Sequence, residues 1–443
     1  MTKDTQENQQ IDHRFTSRME RMIHEEYHYL KPNEINLNKK SFFNKGKIDF
    51  VYNDAKKINL TIYKDELKNI TADIISSDLP EVVKKLYLDK FTEQGHITKI
   101  LEAASVGDDE ALHRASVELY GAPNSQLYWF TVDQINTRFK SLINKIDPKR
   151  KTLHKAFSVW QNYYTSLDKP AKISVHHVPY YEGIYIPDDY EVDSADKIHQ
   201  MFVVYLEKNN LTNWTVMVDL PGERVAFGVN QATKTISIPH DSDLALRKDT
   251  ITKRSLKALL VHEIGVHVLR RENGERSPLY LLGIGLDNYL RAEEGIATFA
   301  EQLIVGADSY AGETGYLAIG AAMGTLGRAL DFNNLFTLLH AYYILLIADK
   351  QLDEQGFYEL DELRMLAVDK AWSRTLRTYR GTTGQKAGAV YTRDIIYLEG
   401  NRRIWKLIDT EPEVKPEWLI GKYDPTNLNH INALKELGIL SEA

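Results

Sequence analysis

The chain has 443 residues, 43% of them hydrophobic and 26% charged, with a formal net charge of −7 and no cysteine. That length favours two or three packed units, and the composition is that of a globular protein with a full core. Mixed charge signs argue against nucleic acid or an acidic membrane surface as a partner. The lack of cysteine excludes disulfides, thiolate zinc sites and cysteine nucleophiles, so any metal must sit on His, Asp or Glu.

The opening "MTKDTQENQQIDHRF" is polar and lacks the apolar core of a signal peptide, which fits a cytoplasmic protein. Residues 1–12 read as a disordered tail and 13–170 as an α-helical region. Within it a helix is expected over Arg14–Leu30, stopping before Pro32. Residues 33–60 are Lys- and Asn-rich, and "NKKSFFNKGK" reads as a solvated basic loop. From Glu81 to about Leu167 the apolar spacing is helical, broken by the Gly/Pro turn at "YGAPNS".

Near Lys172 the pattern changes. "AKISVHHVPYY", "WTVMVDL", "RVAFGVN" and "KTISIPHD" are β-branched and alternating, as strands are, with a helix over about 195–209 after the first. Helices follow over about 289–304, 312–330, 332–349 and 354–378, then a β-like tail, "GAVYTRDIIYLEG". The longest mostly apolar run, Leu335–Ala348, is too short to span a bilayer.

Two histidine pairs stand out. "HEEYH" brings His24 and His28 within about 40° of each other on a helix. Its neighbours Arg18, Glu20, Arg21 and Glu25 are charged, and no strand precedes it, so it reads as a solvated amphipathic helix. "HEIGVH" is stranger. His262 and His267 are five residues apart, which leaves them about 140° apart on an ideal helix. A single π-type turn supplies the missing rotation, and Gly265 inside the motif eases the strain. The bland reading is two core histidines, each hydrogen-bonded, with Glu263 salt-bridged to an arginine.

A catalytic zinc site needs a third protein ligand and keeps one position for water. Downstream, "YLRAEEGIATFAEQ" offers Glu293 and Glu294, and periodicity alone does not choose between them. Glu301, one heptad after Glu294, is placed to orient a ligand. Strands leading into a His-Glu helix suggest a zincin-like arrangement, with "KTISIPHD" the candidate edge strand beside the cleft. The expected fold class is therefore α+β and predominantly helical: a zincin-like metallopeptidase core over 171–443, with a small sheet before the active-site helix.

"HEIGVH" followed by "EEGIA" resembles the family named for a Gln-Glu-Gly-Leu-Ala motif. Its bacterial members are labelled flavohemoglobin expression-modulating proteins. Its animal members include the microtubule-associated tyrosine carboxypeptidases, which remove the C-terminal tyrosine of α-tubulin. The family pattern is His-Glu-x-x-x-His with a later Glu-Gly-Leu-Ala. Glu293 stands here in place of the motif's Gln and Ile296 in place of its Leu. The resemblance runs from about Ser116 to Gly400. It implies His262, His267 and Glu294 as Zn²⁺ ligands and Glu263 as the catalytic carboxylate. It also implies a peptide or protein C-terminus as substrate, with release of an aromatic Tyr or Phe.

A carboxypeptidase also needs a cation for the terminal carboxylate, and Arg suits this because its fork binds both oxygens. "SRTLRTYRGTTGQKAGAVYTRD" supplies Arg374, Arg377, Arg380, Lys386 and Arg393, of which Arg380 and Arg393 are the preferred candidates. Arg270 and Arg271 read as caps of the helix that carries the motif. The alternatives are a zinc endopeptidase with an open cleft and a non-catalytic zinc-fold regulatory or binding protein.

Overall fold

The structure is a computed structural model, and it describes residues 10–22, 26–171, 179–187, 189–192, 194–222, 227–244, 251–352, 360–414 and 416–441. Helices dominate these residues. The amino-terminal part holds α1 (His13–Met19), α2 (Ile35–Lys45), α3 (Asn53–Lys57), α4 (Leu60–Ser76), α5 (Glu81–Val106), α6 (Asp109–Tyr120), α7 (Ser125–Ile143) and α8 (Lys151–Thr165). Next come α9 (Ala195–Lys208), β1 (Thr215–Val218), β2 (Gly228–Asn230), β3 (Thr235–Ile238) and α10 (Asp241–Leu244). The motif helix is α11 (Lys253–His262), a π-helical turn (Glu263–Val268) and α12 (Leu269–Glu275). The remainder is α13 (Leu281–Ile284), α14 (Leu290–Val305), α15 (Glu313–Met323), α16 (Phe332–Leu352), α17 (Leu360–Thr378), α18 (Ile395–Thr410) and α19 (Leu428–Glu436). Among the described residues no helix is long and apolar enough to cross a membrane.

The largest core joins α5–α8 to α15–α18 and takes in Leu101, Phe139, Trp160, Tyr316, Leu339 and Ile395. Packing therefore crosses position 170. A second core sets α1, α4 and α5 against α13 and α19 through Phe15, Ile70, Tyr87, Leu282 and Leu434. A third lies over the sheet, where Leu256, Leu260, Ile264 and Val268 of the motif helix meet Ile236, Ile238 and Phe202. Four apolar residues at a spacing of four make one continuous stripe, so the sheet fixes which face of the motif helix is left for chemistry.

Several expectations fail for physical reasons. β3 is not an edge strand. It pairs in parallel with β1 and antiparallel with β2, which gives the order β1-β3-β2. Its alternation, with Ile236 and Ile238 buried, describes a one-sided face and says nothing about lateral position. The strand expected over "AKISVHHVPYY" lies mostly outside the described residues; Tyr181 makes an isolated antiparallel bridge to Ala307.

The β-like tail is instead a loop that runs into α18, because Ile395, Ile396 and Leu398 pack at helical spacing into the main core. The basic segment near residue 40 is helical rather than a loop, since Phe42 is held among Phe332, Phe336 and Trp372. The helix expected over 312–330 stops at Met323, where Gly324 adopts a φ of +73°. The helix expected over 14–30 is α1 and a separate 3₁₀ turn, Glu26–Tyr29, and His24 lies outside the described residues. Glu26 is buried, not solvated, and accepts hydrogen bonds from the hydroxyls of Tyr120 (2.6 Å) and Tyr391.

Candidate metal centre

Thr252 starts α11 firmly: its hydroxyl accepts from Ser255 N and its own N–H donates to Ser255 Oγ, a reciprocal cap. Eleven residues further on the helix widens into the π turn that the five-residue histidine spacing requires. The His262 and His267 rings consequently stand on one side of the helix, centroids 5.1 Å apart at 69°. Gly265 lies in the middle of the turn, and a Cβ there would sit 2.9 Å from the Tyr205 hydroxyl. The missing side chain thus makes room for a neighbour as well as relaxing the backbone.

α14 supplies the third group. Glu294 Oε2 lies 4.0 Å from His262 Nε2 and 4.0 Å from His267 Nε2. One ligand atom from each of His262, His267 and Glu294 falls within 4.8 Å of the others. Bonds of about 2.0–2.1 Å in a tetrahedral zinc site place ligand atoms about 3.3 Å apart, so small side-chain movements close the set. α14 is fixed against α18 where Gly295 meets Gly400; a Cβ on Gly295 would sit 2.5 Å from the Gly400 carbonyl carbon. The glycine after Glu294 is therefore a notch for a helix crossing, and the crossing positions the carboxylate.

Each imidazole is held from behind. His262 Nδ1 lies 3.2 Å from Glu301 Oε2 and His267 Nδ1 lies 3.0 Å from Glu293 Oε1. An ionised carboxylate only accepts, so both Nδ1 atoms donate and both Nε2 atoms turn toward Glu294, where a bound cation would displace any Nε2 proton and take the lone pair. Glu293 is in turn bound by Arg270, and Lys422 Nζ lies 3.9 Å away. Burial by itself raises the pKa of Glu293, but Arg270, Lys422 and His267 outweigh it and hold it at about 2. Burial by itself lowers that of His267, but the hydrogen bond to Glu293 and the charges of Glu294, Glu293 and Glu263 carry it to about 9. The donor set is His₂Glu in a field of carboxylates, which fits a divalent cation. Glu263, half-buried, follows His262 directly at the start of the π turn.

Arg270 is no helix cap. It is fully buried, and its Nε donates to the carbonyls of Trp418 and Gly421, each at 2.9 Å, while Nη2 donates to that of Tyr423. Arg271 bonds Glu275, Glu20 and the Gly283 carbonyl. The roles of Glu293 and Arg270 were not legible from the sequence, because residues 26 and 23 positions apart meet only through tertiary packing.

The arginine-rich segment gathers around one half-buried ring. The guanidinium carbons of Arg380, Arg393 and Arg377 lie 3.6, 4.8 and 5.5 Å from the Tyr27 ring centroid. Arg374 and Arg377 both bind Asp394, and Lys386 binds Glu110. Arg377 Nη2 also donates to the Tyr397 hydroxyl at 3.3 Å. Tyr397 lies within the electrostatic reach of both this cluster and Glu294. Burial raises its pKa, the Glu294 charge raises it further, and Arg393 and Arg377 act in the opposite direction.

A family model described as microtubule-associated tyrosine carboxypeptidase matches residues 234–309 and 354–443. The two segments contain the histidine motif, Glu293–Glu301 and the arginine cluster. No curated protein and no solved structure matches the chain.

Proposed function

We propose that this chain, of the microtubule-associated tyrosine carboxypeptidase family, is a zinc-dependent carboxypeptidase with a zincin-like site that hydrolyses the last peptide bond of its substrate. One observation carries the reading: two imidazole Nε2 atoms converge on a single Glu294 oxygen across a π turn that begins with Glu263. His262, His267 and Glu294 would hold the metal, with Glu301 and Glu293 orienting the imidazoles. A zinc ion held there would supply Lewis-acid chemistry, making water more acidic and polarising the scissile carbonyl.

Glu263 takes the proton of the attacking water and passes it to the leaving amine. Tyr397, whose hydroxyl accepts from Arg377 and keeps its own proton to donate, stabilises the oxyanion. Arg380 and Arg393 receive the terminal carboxylate. The aromatic character of the released residue, Tyr or Phe, is carried over from the family.

The test compares peptides that end in a free Tyr or Phe with the same peptides amidated at the C-terminus. A charge-assisted carboxylate contact contributes about 1.5–3 kcal/mol, roughly a 10- to 150-fold preference for the free acid. Release of one residue from the acid and slow cleavage of the amide are expected, with Arg380→Ala or Arg393→Ala narrowing the gap. His262→Ala and Glu294→Ala should lose zinc, and His24→Ala should retain it. Equal cleavage of both peptides at internal bonds would make the protein an endopeptidase. Metal binding without any hydrolysis would make it a zinc-fold binding protein.

A further inference from the structure

We propose that Tyr27 is a positioning residue for the carboxylate-binding arginines, so that the amino-terminal 3₁₀ turn, far outside the matched segments, completes the substrate site. The inference rests on the reading of Arg380 and Arg393 given above. It starts from "HEEYH", the motif left without a role once the metal ligands are placed.

Glu26 anchors the turn. Its carboxylate is 1% exposed and is held by the hydroxyls of Tyr120, at the end of α6, and Tyr391, in the loop before α18. With Glu26 fixed inward, the next side chain is fixed too, and the Tyr27 ring lies against three guanidiniums.

Charge explains why a ring belongs there. Arg374, Arg377, Arg380 and Arg393 crowd together, with the carboxylates of Asp394 and Glu26 close by. Asp394 is engaged by Arg374 and Arg377, and Glu26 by two phenols. Among the described residues Arg380 pairs with no carboxylate, and its buried Nε has no hydrogen-bond partner. Two contacts hold it: Nη1 donates to the Tyr27 carbonyl at 3.4 Å, and its guanidinium carbon sits 3.6 Å from the Tyr27 centroid. At that distance the cation lies on the ring face, where the quadrupole is negative. A stacked guanidinium keeps its edge free, and the edge is what forks a carboxylate. The ring therefore offsets repulsion among the arginines and holds the Arg380 guanidinium in one plane, with Nε and Nη2 unspent, before substrate arrives.

Removing the ring should cost substrate binding in proportion to one desolvated cation–π contact. For Tyr27→Ala the KM for a free-acid peptide should rise about 2- to 30-fold, with kcat and zinc content little changed. Cleavage of the amidated peptide should not move. Tyr27→Phe retains the ring face and should behave as the parent. As a readout free of turnover, N-acetyltyrosine should bind Tyr27→Ala more weakly by the same factor, while N-acetyltyrosinamide binding is unaltered. An unchanged acid-to-amide ratio in Tyr27→Ala, or an equal loss on both peptides, overturns the inference. A parent enzyme that does not distinguish acid from amide overturns the carboxylate reading itself, and the role of Tyr27 with it.

Discussion

Glu293→Ala removes a carboxylate that serves two buried cations and a histidine at once. The side chains of Glu293, Arg270 and Lys422 are 2%, 0% and 1% exposed. Arg270 cannot follow its lost partner to solvent, because the carbonyls of Trp418, Gly421 and Tyr423 still grip it. Leaving a buried charge uncompensated costs about 3–5 kcal/mol. His267 simultaneously loses the acceptor that fixes its Nδ1 proton, and loss of such a partner weakens metal binding about 10- to 100-fold.

Urea unfolding of the apo-protein reads the first effect, and zinc titration against a chelating dye reads the second. Glu301→Ala is the internal control. It supports His262 in the same way, but its side chain is 45% exposed and meets no buried cation in the contacts described above. Its stability should change by less than about 0.5 kcal/mol while zinc affinity falls within the same range. Glu293→Ala unfolding at the parent's urea midpoint, with zinc affinity unaltered, would refute the argument that this carboxylate braces the site.

Glu263→Gln should keep the fold and the zinc but abolish nearly all turnover, since an amide cannot take the water's proton; a near-normal rate would remove Glu263 from the mechanism. Gly295→Ala should lower both stability, by about 1–3 kcal/mol, and zinc content, because its Cβ meets the Gly400 backbone at 2.5 Å. Gly95→Ala, in open space within α5, should instead stabilise by about 0.5–1 kcal/mol, as denaturation midpoints would show.

Asp394 gives a pH signature. Burial by itself raises its pKa, but Arg377 and Arg374 outweigh this and lower it below the ordinary 3.8. A depressed folded pKa means stability that is present above about pH 4 and lost as pH falls through the folded value. Asp394→Asn should therefore be less stable at neutral pH and lose less on acidification; an acid-unfolding curve parallel to the parent's would contradict the assignment.

Sequence alone determined what depends on near neighbours. The helical spans of α14 and α16 follow from apolar spacing. The π turn follows from arithmetic: histidines five apart can share a face only if the helix is locally widened. Glu294 was singled out by a motif and not by periodicity, and for good reason. Glu293 and Glu294 are both buried, and only the packing of α14 against the motif helix sends one to His267 Nδ1 and the other to the two Nε2 atoms.

Tertiary structure alone decided the rest. β3 is internal because lateral pairing is set by strands β1 and β2, not by its own alternation. "GAVYTRDIIYLEG" alternates like a strand, yet its second half is the start of a helix whose Gly400 notches into Gly295. Glu26 and Tyr27 look like part of a solvated face, because nothing within their own turn shows that Tyr120, Tyr391 and three arginines from distant segments will close over them. Local pattern records the preferences of a segment; partners that arrive from other segments are written only in the fold.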